Sequence, residues 1–418
     1  MDMKLAPAEM TGKEADGALF RRAASMVHSC DRCGSCLTVC PLFGVAEVEV
    51  TGARGKNSIV RALAEGGVQP TRAALKAVDF CLLCRACVEI CPANVPTDET
   101  MIDVRQHLND LLGGPKLEYR IVGGILKRPG LVSAAAKALS LLRRTGLGRL
   151  APHGMAPEEF TRSRFLSSFA GPAALGGKVP SSGKTPAKNS PVSYFHGCGM
   201  EMMFPEAAAQ SREIISTTAP LSERKNVCCG LPHLAHGKRQ DFLLLARKNM
   251  EIFADDEIVI TDCASCGATL KNYGSFFSDT PALKKKAEEF SKKVMDLTEY
   301  LAQTAYQPRQ KTNAVLTYHD PCHLARGQGI ADQPRELLRK AGNFIEMNGA
   351  SICCGGAGSF HIDYPETAAK ILLNKQKNIE ETGASLVVTA CPGCLIQLAK
   401  AAEASGGRFK AVHISQVL

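Results

Sequence analysis

The sequence predicts an α+β multidomain chain: a small helical N-terminal domain, then a duplicated α/β domain whose strands run largely parallel. Three observations carry this prediction. Two copies of one cysteine motif, Cys30-x-x-Cys33-x-x-Cys36-x-x-x-Cys40-Pro41 and Cys81-x-x-Cys84-x-x-Cys87-x-x-x-Cys91-Pro92, lie among helical patterns with few β-branched runs. Farther along, short apolar runs end directly at cysteines and alternate with helical patterns, the rhythm of a parallel sheet. The cysteines of that half also repeat. Cys198, Cys228-Cys229 and Cys263-x-x-Cys266 return as Cys322, Cys353-Cys354 and Cys391-x-x-Cys394, offset by 124 to 128 residues.

The elements follow in order. Residues 1–22 read as a polar, partly helical leader with little to pack. From Ala23 to Leu112 the two motifs are separated by helical patterns over Ser58–Glu65 and Thr71–Phe80, which makes 23–112 a helical domain. Residues 113–191 form a basic segment with a helix candidate over Val132–Arg144 and a Gly/Pro/Ser/Lys-rich connector over Gly171–Pro191. The two repeats occupy 192–305 and 306–418. Strands are expected over Val192–Phe195, Glu257–Thr261, Ala314–Tyr318 and Ser385–Thr389, each ending just before a cysteine, where ligands gather in such sheets.

Composition narrows the function. With 418 residues and 45% apolar side chains, two or three cores can be buried. The first thirty residues lack an export signal and no eighteen-residue apolar run appears, so a cytoplasmic chain without a membrane span is expected. Eighteen cysteines in a reducing compartment point to metal ligation rather than disulfides. Absence of tryptophan and scarcity of aromatics argue against base stacking, so the +9 net charge is not read as nucleic-acid binding. Pro115–Ser190 carries thirteen Lys or Arg against Glu118, Glu158 and Glu159. That segment could dock an acidic partner or give peripheral contact with the anionic inner face of a membrane, or it could be ordinary solvated helix surface.

Each N-terminal motif suits a [4Fe-4S] cube, which needs one thiolate per iron. Two-residue gaps let three successive sulfurs wrap one cube, while the fourth cysteine reaches the other. Cys30, Cys33, Cys36 and Cys91 are therefore assigned to one cluster, and Cys81, Cys84, Cys87 and Cys40 to the other, in a two-cluster ferredoxin domain. Zinc ribbons, the rival, have no use for a third cysteine and a Cys-Pro. In the second half each repeat offers five thiolates. An adjacent Cys-Cys can face one metal centre only from a tight turn, which the following Gly230 and Gly355 permit. Cys263 and Cys391 open helices after strands, where unpaired amides favour thiolates. Cys198, Cys228, Cys229, Cys263, Cys266, Cys322, Cys353, Cys354, Cys391 and Cys394 are the expected ligands of one or two further centres, with metal-free dithiol chemistry as the rival and zinc in one lobe left open. His196, His233, His236, His319 and His323 crowd these motifs; a histidine near a cluster is more often a hydrogen-bond donor that tunes it, and His233 and His323 lead as candidates for a proton role. Gly355-Gly356-Ala357-Gly358 lacks the third glycine of a dinucleotide loop and abuts ligand cysteines, so it is read as tight packing; no other flavin or nicotinamide fingerprint occurs, so a partner must supply hydride chemistry.

From Ser29 to Leu418 the chain resembles the iron-sulfur subunits of glycolate oxidase and of flavin-dependent D-lactate dehydrogenases. The resemblance rests on Cys81-Leu-Leu-Cys84-Arg-Ala-Cys87, His319-Asp-Pro-Cys322-His323, Cys353-Cys354-Gly355-Gly356-Ala357-Gly358 and Thr389-Ala-Cys391-Pro-Gly-Cys394. The wider group includes the anaerobic glycerol-3-phosphate dehydrogenase iron-sulfur subunit and heterodisulfide reductase. The resemblance implies a relay taking electrons from a partner FAD subunit, which oxidises a 2-hydroxy acid, towards a quinone or another carrier. From heterodisulfide reductase it implies noncubane [4Fe-4S] clusters on the five-cysteine sets. It also leaves a second class open, in which the duplicated domain itself reduces a disulfide or quinone.

Overall fold

The computed structural model describes residues 12–134 and 192–418, apart from positions 129, 133, 279, 305, 309 and 310. The connector expected over Gly171–Pro191 lies wholly outside the described residues, as does most of the Val132–Arg144 helix candidate and of the basic segment. The chain divides into two compact units: Met1–Arg120 with Pro232–Arg239, and Ile121–Leu231 with Gln240–Leu418.

In the first unit, helices Gly12–His28, Ala53–Ala64, Arg72–Asp79 and Thr97–Leu111 turn their apolar faces inward, burying Ala23, Val27, Val60, Leu75, Val78, Met101, Val104 and Leu108. The helix expected over Thr71–Phe80 is Arg72–Asp79, with the Thr71 hydroxyl accepting from the Ala74 amide as N-cap. The one expected from Ser58 starts earlier, at Ala53. Its first turn can form there because Gly55 lies against Glu49 and Val50, where a Cβ would come within 2.3 Å of the Glu49 carbonyl oxygen.

The expectation that residues 1–22 have little to pack needs correction in their described part. Phe20 stacks on His107 at 4.4 Å, and the Arg22 guanidinium donates to both carboxylate oxygens of Asp103 at 2.7 and 2.8 Å. The polar composition is that of a helix with one docked face, not of a free tail. Arg105, 5% exposed, donates to the carbonyls of Val78, Asp79 and Cys81, at 2.9 Å for the last, and to that of Ala235 at 3.1 Å. It thus ties the entry of the second cysteine motif to the Thr97–Leu111 helix. It also holds the Pro232–Arg239 excursion, where the Arg239 amide donates to Gln106 at 2.7 Å. A Cβ on Gly237 would sit 2.9 Å from the Arg105 carbonyl oxygen, so only glycine allows this approach.

The second unit holds two four-stranded sheets of identical topology, in order β2-β1-β3-β4 and β6-β5-β7-β8. All eight described strands pair in parallel. The four expected strands are the inner pair of each sheet: β1 Val192–Tyr194, β3 Val259–Thr261, β5 Thr312–Tyr318 and β7 Leu386–Thr389. The outer four, β2 Leu221–Glu223, β4 Val294–Asp296, β6 Gly342–Phe344 and β8 Lys410–His413, have three or four residues each and too little apolar pattern to announce themselves. One core joins both sheets, with Tyr194, Ile260, Leu316, Tyr318 and Val388 buried in it. Polar stitches cross it too. The Ala264 amide donates to the Ala390 carbonyl at 3.0 Å, the Ser415 hydroxyl to that of Ala207 at 2.8 Å, and His413 Nε2 lies 3.0 Å from the Asp262 carbonyl oxygen. No described helix is long and apolar enough to cross a membrane.

Removing Arg105 leaves several buried carbonyls without a donor, so Arg105→Met should destabilise the first unit by on the order of 3 kcal/mol. Thermal unfolding of variant and wild type checks this; an unchanged midpoint would show that the guanidinium network is dispensable.

Candidate metal centres

The two N-terminal motifs bend in the same way. Arg32 and Gly34 in the first, and Leu83 and Arg85 in the second, flank the middle cysteines with φ of 57°, 89°, 52° and 63°. Left-handed backbone at non-glycine residues costs about 1 kcal/mol or more each, a strain held where three sulfurs must turn towards one point. The structure brings Cys40, Cys81, Cys84 and Cys87 to the wall of one cavity. It brings Cys30, Cys33, Cys36 and Cys91 to the wall of a second, which Cys87 also touches. The Val95 amide donates to Cys91 Sγ at 3.5 Å. Both cavities are lined by four or more sulfurs and little else that could ligate, a donor set that fits a cube.

Burial separates the thiols. It pushes Cys36, Cys40 and Cys87 up, whereas exposed Cys33 is drawn down by its hydrogen bond with the Ser35 hydroxyl. Lys56, only 1% exposed, reaches the cavity of Cys40 and Cys81 and donates to the Val50 and Thr51 carbonyls; burial lowers its pKa. Nothing in the local pattern marks it, because its helix face reads as an ordinary amphipathic boundary.

In the second unit each inner strand delivers a cysteine at its carboxyl end. Cys198 and Cys322 begin helices, and Cys263 and Cys391 stand as N-caps of Ala264–Lys271 and Pro392–Ala404. The doubled cysteines turn as expected into glycines with positive φ, 93° at Gly230 and 82° at Gly355, whose amides donate back to Cys228 Sγ at 3.4 Å and Cys353 Sγ at 3.5 Å. Gly356 is held by contact: a Cβ there would lie 2.8 Å from the Gly393 carbonyl oxygen. All eighteen cysteines are free thiols.

The sulfurs form a run. Cys198 Sγ lies 3.7 Å from Cys228 Sγ, Cys229 is hydrogen-bonded to Cys228 and Cys266, and Cys266 to Cys263. Across the sheet-to-sheet junction the Cys263 thiol acts on Cys391 by hydrogen bonding, and the run continues through Cys394 to Cys354 and Cys353. Donation from Cys228 and Cys266 drives Cys229 down, from Cys353 and Cys394 drives Cys354 down, and from Cys263 and Cys394 drives Cys391 down. The donors Cys263, Cys266 and Cys394, which keep their protons, are driven up. Ser265 supports the junction, its hydroxyl 3.2 Å from Cys391 Sγ.

Of the histidines, His323 lies beside Cys322, its Nδ1 3.9 Å from that sulfur, and His233 is buried in the excursion that belongs to the first unit. The residue the structure places inside a cysteine set is His319, 1% exposed, with a ring nitrogen and the sulfurs of Cys354 and Cys394 all within 4.8 Å of one another. Aligning the repeats sets it opposite Phe195, the one signal in the sequence that could have distinguished it.

Comparison with known proteins agrees with this architecture. The 4Fe-4S dicluster domain matches residues 26–95, and the cysteine-rich domain matches twice, at 192–271 and 316–399. A probable glycolate oxidase iron-sulfur subunit of Bacillus subtilis is 30% identical over 93% of this chain and 93% of its own, and the glycolate oxidase iron-sulfur subunit of Escherichia coli is 24% identical over 95% and 96%. A crystal structure of a hypothetical protein from Helicobacter pylori shares the fold, with a TM-score of 0.53 at 8% identity over 96% of this chain and 75% of that one. An alignment that leaves out so little of either chain reflects shared descent of the whole architecture, and this chain belongs to the family of glycolate oxidase iron-sulfur subunits.

Proposed function

We propose that the chain is the electron-relay subunit of a flavin-dependent 2-hydroxy acid dehydrogenase acting on glycolate or D-lactate, passing electrons from a partner FAD subunit towards a quinone or another carrier. The observation that carries the reading is the pair of cysteine-walled cavities at the N-terminus, with a second run of sulfurs on the duplicated unit. Cys30, Cys33, Cys36 and Cys91 would hold one [4Fe-4S] cube, and Cys81, Cys84, Cys87 and Cys40 the other, while the ten remaining cysteines would hold further centres. Bound cubes supply one-electron redox capacity. The chain's own part is to anchor them through four thiolates each, to keep water away by burial, and to set their charge environment. Exposed Cys33, near Arg32 and Arg54, gives the first site an edge towards solvent where an electron could enter or leave. The domains are read as 23–112 for the ferredoxin part and 192–305 and 306–418 for the two repeats.

One observation favours a second reading, in which the duplicated unit reduces a disulfide or quinone itself: the cysteine sets of the two sheets meet at Cys263 and Cys391 instead of standing apart. Metal analysis of anaerobically purified chain, followed by mixing with its flavoprotein and 2-hydroxy acid, separates the readings. About eight irons per chain, reduced only when flavoprotein and hydroxy acid are both present, fits a simple relay; about sixteen fits centres on both repeats. Disulfide turnover by the chain without flavoprotein would replace the relay by the second reading.

The buried Lys56 ammonium favours the more negative, reduced state of the centre beside it, so Lys56→Gln, which keeps a hydrogen-bond donor and removes the charge, should lower that potential. The shift is roughly 60 mV if the lost interaction is about 1.4 kcal/mol. Redox titration followed by EPR reads it, and an unmoved potential would mean that the lysine serves packing alone.

A further inference from the structure

The two repeats share a backbone plan but differ at the centre of each cysteine set. At the end of β1 stands Phe195, fully buried and unable to ligate; at the matching end of β5 stands His319, buried to the same degree. Both ring nitrogens of His319 are buried with no hydrogen-bond partner of good geometry, and the group the ring acts on is the Cys354 thiol, which it helps to draw down. A buried nitrogen without a full partner costs about 1–3 kcal/mol, a cost that a bound metal would offset. The atoms it does face are the sulfurs of Cys354 and Cys394, all three within 4.8 Å of one another. One imidazole nitrogen and two thiolates at that spacing are a donor set for a borderline transition metal, iron or zinc.

A second difference lies in the same place. In each lobe a helix that follows the doubled cysteine buries a polar side chain near it, Asn249 in the first and Lys375 in the second. Asn249 donates to the Cys228 carbonyl at 3.1 Å, whereas Lys375, 1% exposed, puts an ammonium under the second set, donating to the carbonyls of Gly349 at 2.6 Å and Ala350 at 3.2 Å. A buried cation there balances thiolate charge that the neutral Asn249 does not.

The geometry points to unlike centres in the two lobes: an all-sulfur set in the first, and in the second a mixed nitrogen-sulfur centre in which His319 ligates the metal together with Cys354 and Cys394. Where that metal is iron, imidazole in place of thiolate raises its potential, as histidine ligation does in other iron-sulfur centres. The inference rests on the reading that the second lobe binds metal, and the test separates the two.

Full-length chain carrying isotope-labelled histidine, purified without oxygen, would be assayed for iron, zinc and sulfide. Zinc-edge X-ray absorption and pulsed EPR of the reduced protein would then be recorded. The expected result is a directly bound histidine nitrogen on zinc or on a reduced iron centre, lost in His319→Phe, which installs the first lobe's own residue, with less metal held beyond that of the two cubes. His323→Phe should leave the nitrogen signal in place. If His319→Phe fails to fold, the smaller His319→Asn takes its place, and the labelled wild type reports the nitrogen independently of any variant. Metal beyond the cubes with sulfur-only ligation, or a nitrogen signal that survives at residue 319, would overturn the ligand assignment. No metal beyond the cubes would overturn the reading of the second lobe as a metal site, and the assignment with it, while leaving the two-cube relay standing.

Discussion

Holding sulfur that must carry negative charge, away from water and in one place, is the constraint on which the rest of this chain depends. A thiol buried without help keeps its proton, as the upward push on Cys36, Cys40 and Cys87 illustrates. The fold answers with donors. Left-handed turns at Arg32, Gly34, Leu83 and Arg85 curl the N-terminal motifs around their cavities, and helix N-termini receive Cys263 and Cys391. Glycine amides bond back to Cys228 and Cys353, while Lys56 and Lys375 place single ammonium groups beneath two of the sites.

Those donors require rigid supports, and the supports are long-range. Arg105 gathers carbonyls from the turn before Cys81 and from residue 235, so the second motif is positioned by a residue that follows it and by a segment well over a hundred positions away. In the duplicated unit, two sheets of short strands support one another. They share one core, and the Ala264 to Ala390 and His413 to Asp262 bonds lock the strand ends whose cysteines meet.

Duplication explains both the likeness and the divergence of the lobes. Strand order, helix-capping cysteines and glycine turns recur because each is needed to aim sulfur at a common point. The other residues around that point are free to differ. Phe195 against His319 is such a place, and the buried Lys375 gives the second copy a charge where the first buries the neutral Asn249 near its doubled cysteine.

The sequence by itself determined the helical dicluster domain, the duplication, the inner strands β1, β3, β5 and β7 and the cysteines that end them, because local spacing and apolar runs encode these directly. Tertiary structure alone decided the rest. The outer strands are too short to have a period and exist only by pairing. The helix reaching back to Gly12 is held by Phe20 and Arg22 against partners about eighty residues away, and the Pro232–Arg239 excursion leaves its repeat for contacts no linear pattern records. The meeting of Cys263 with Cys391, and of His319 with Cys354 and Cys394, depends on how strands are ordered in space, and spacing along a chain carries no information about which strand ends become neighbours.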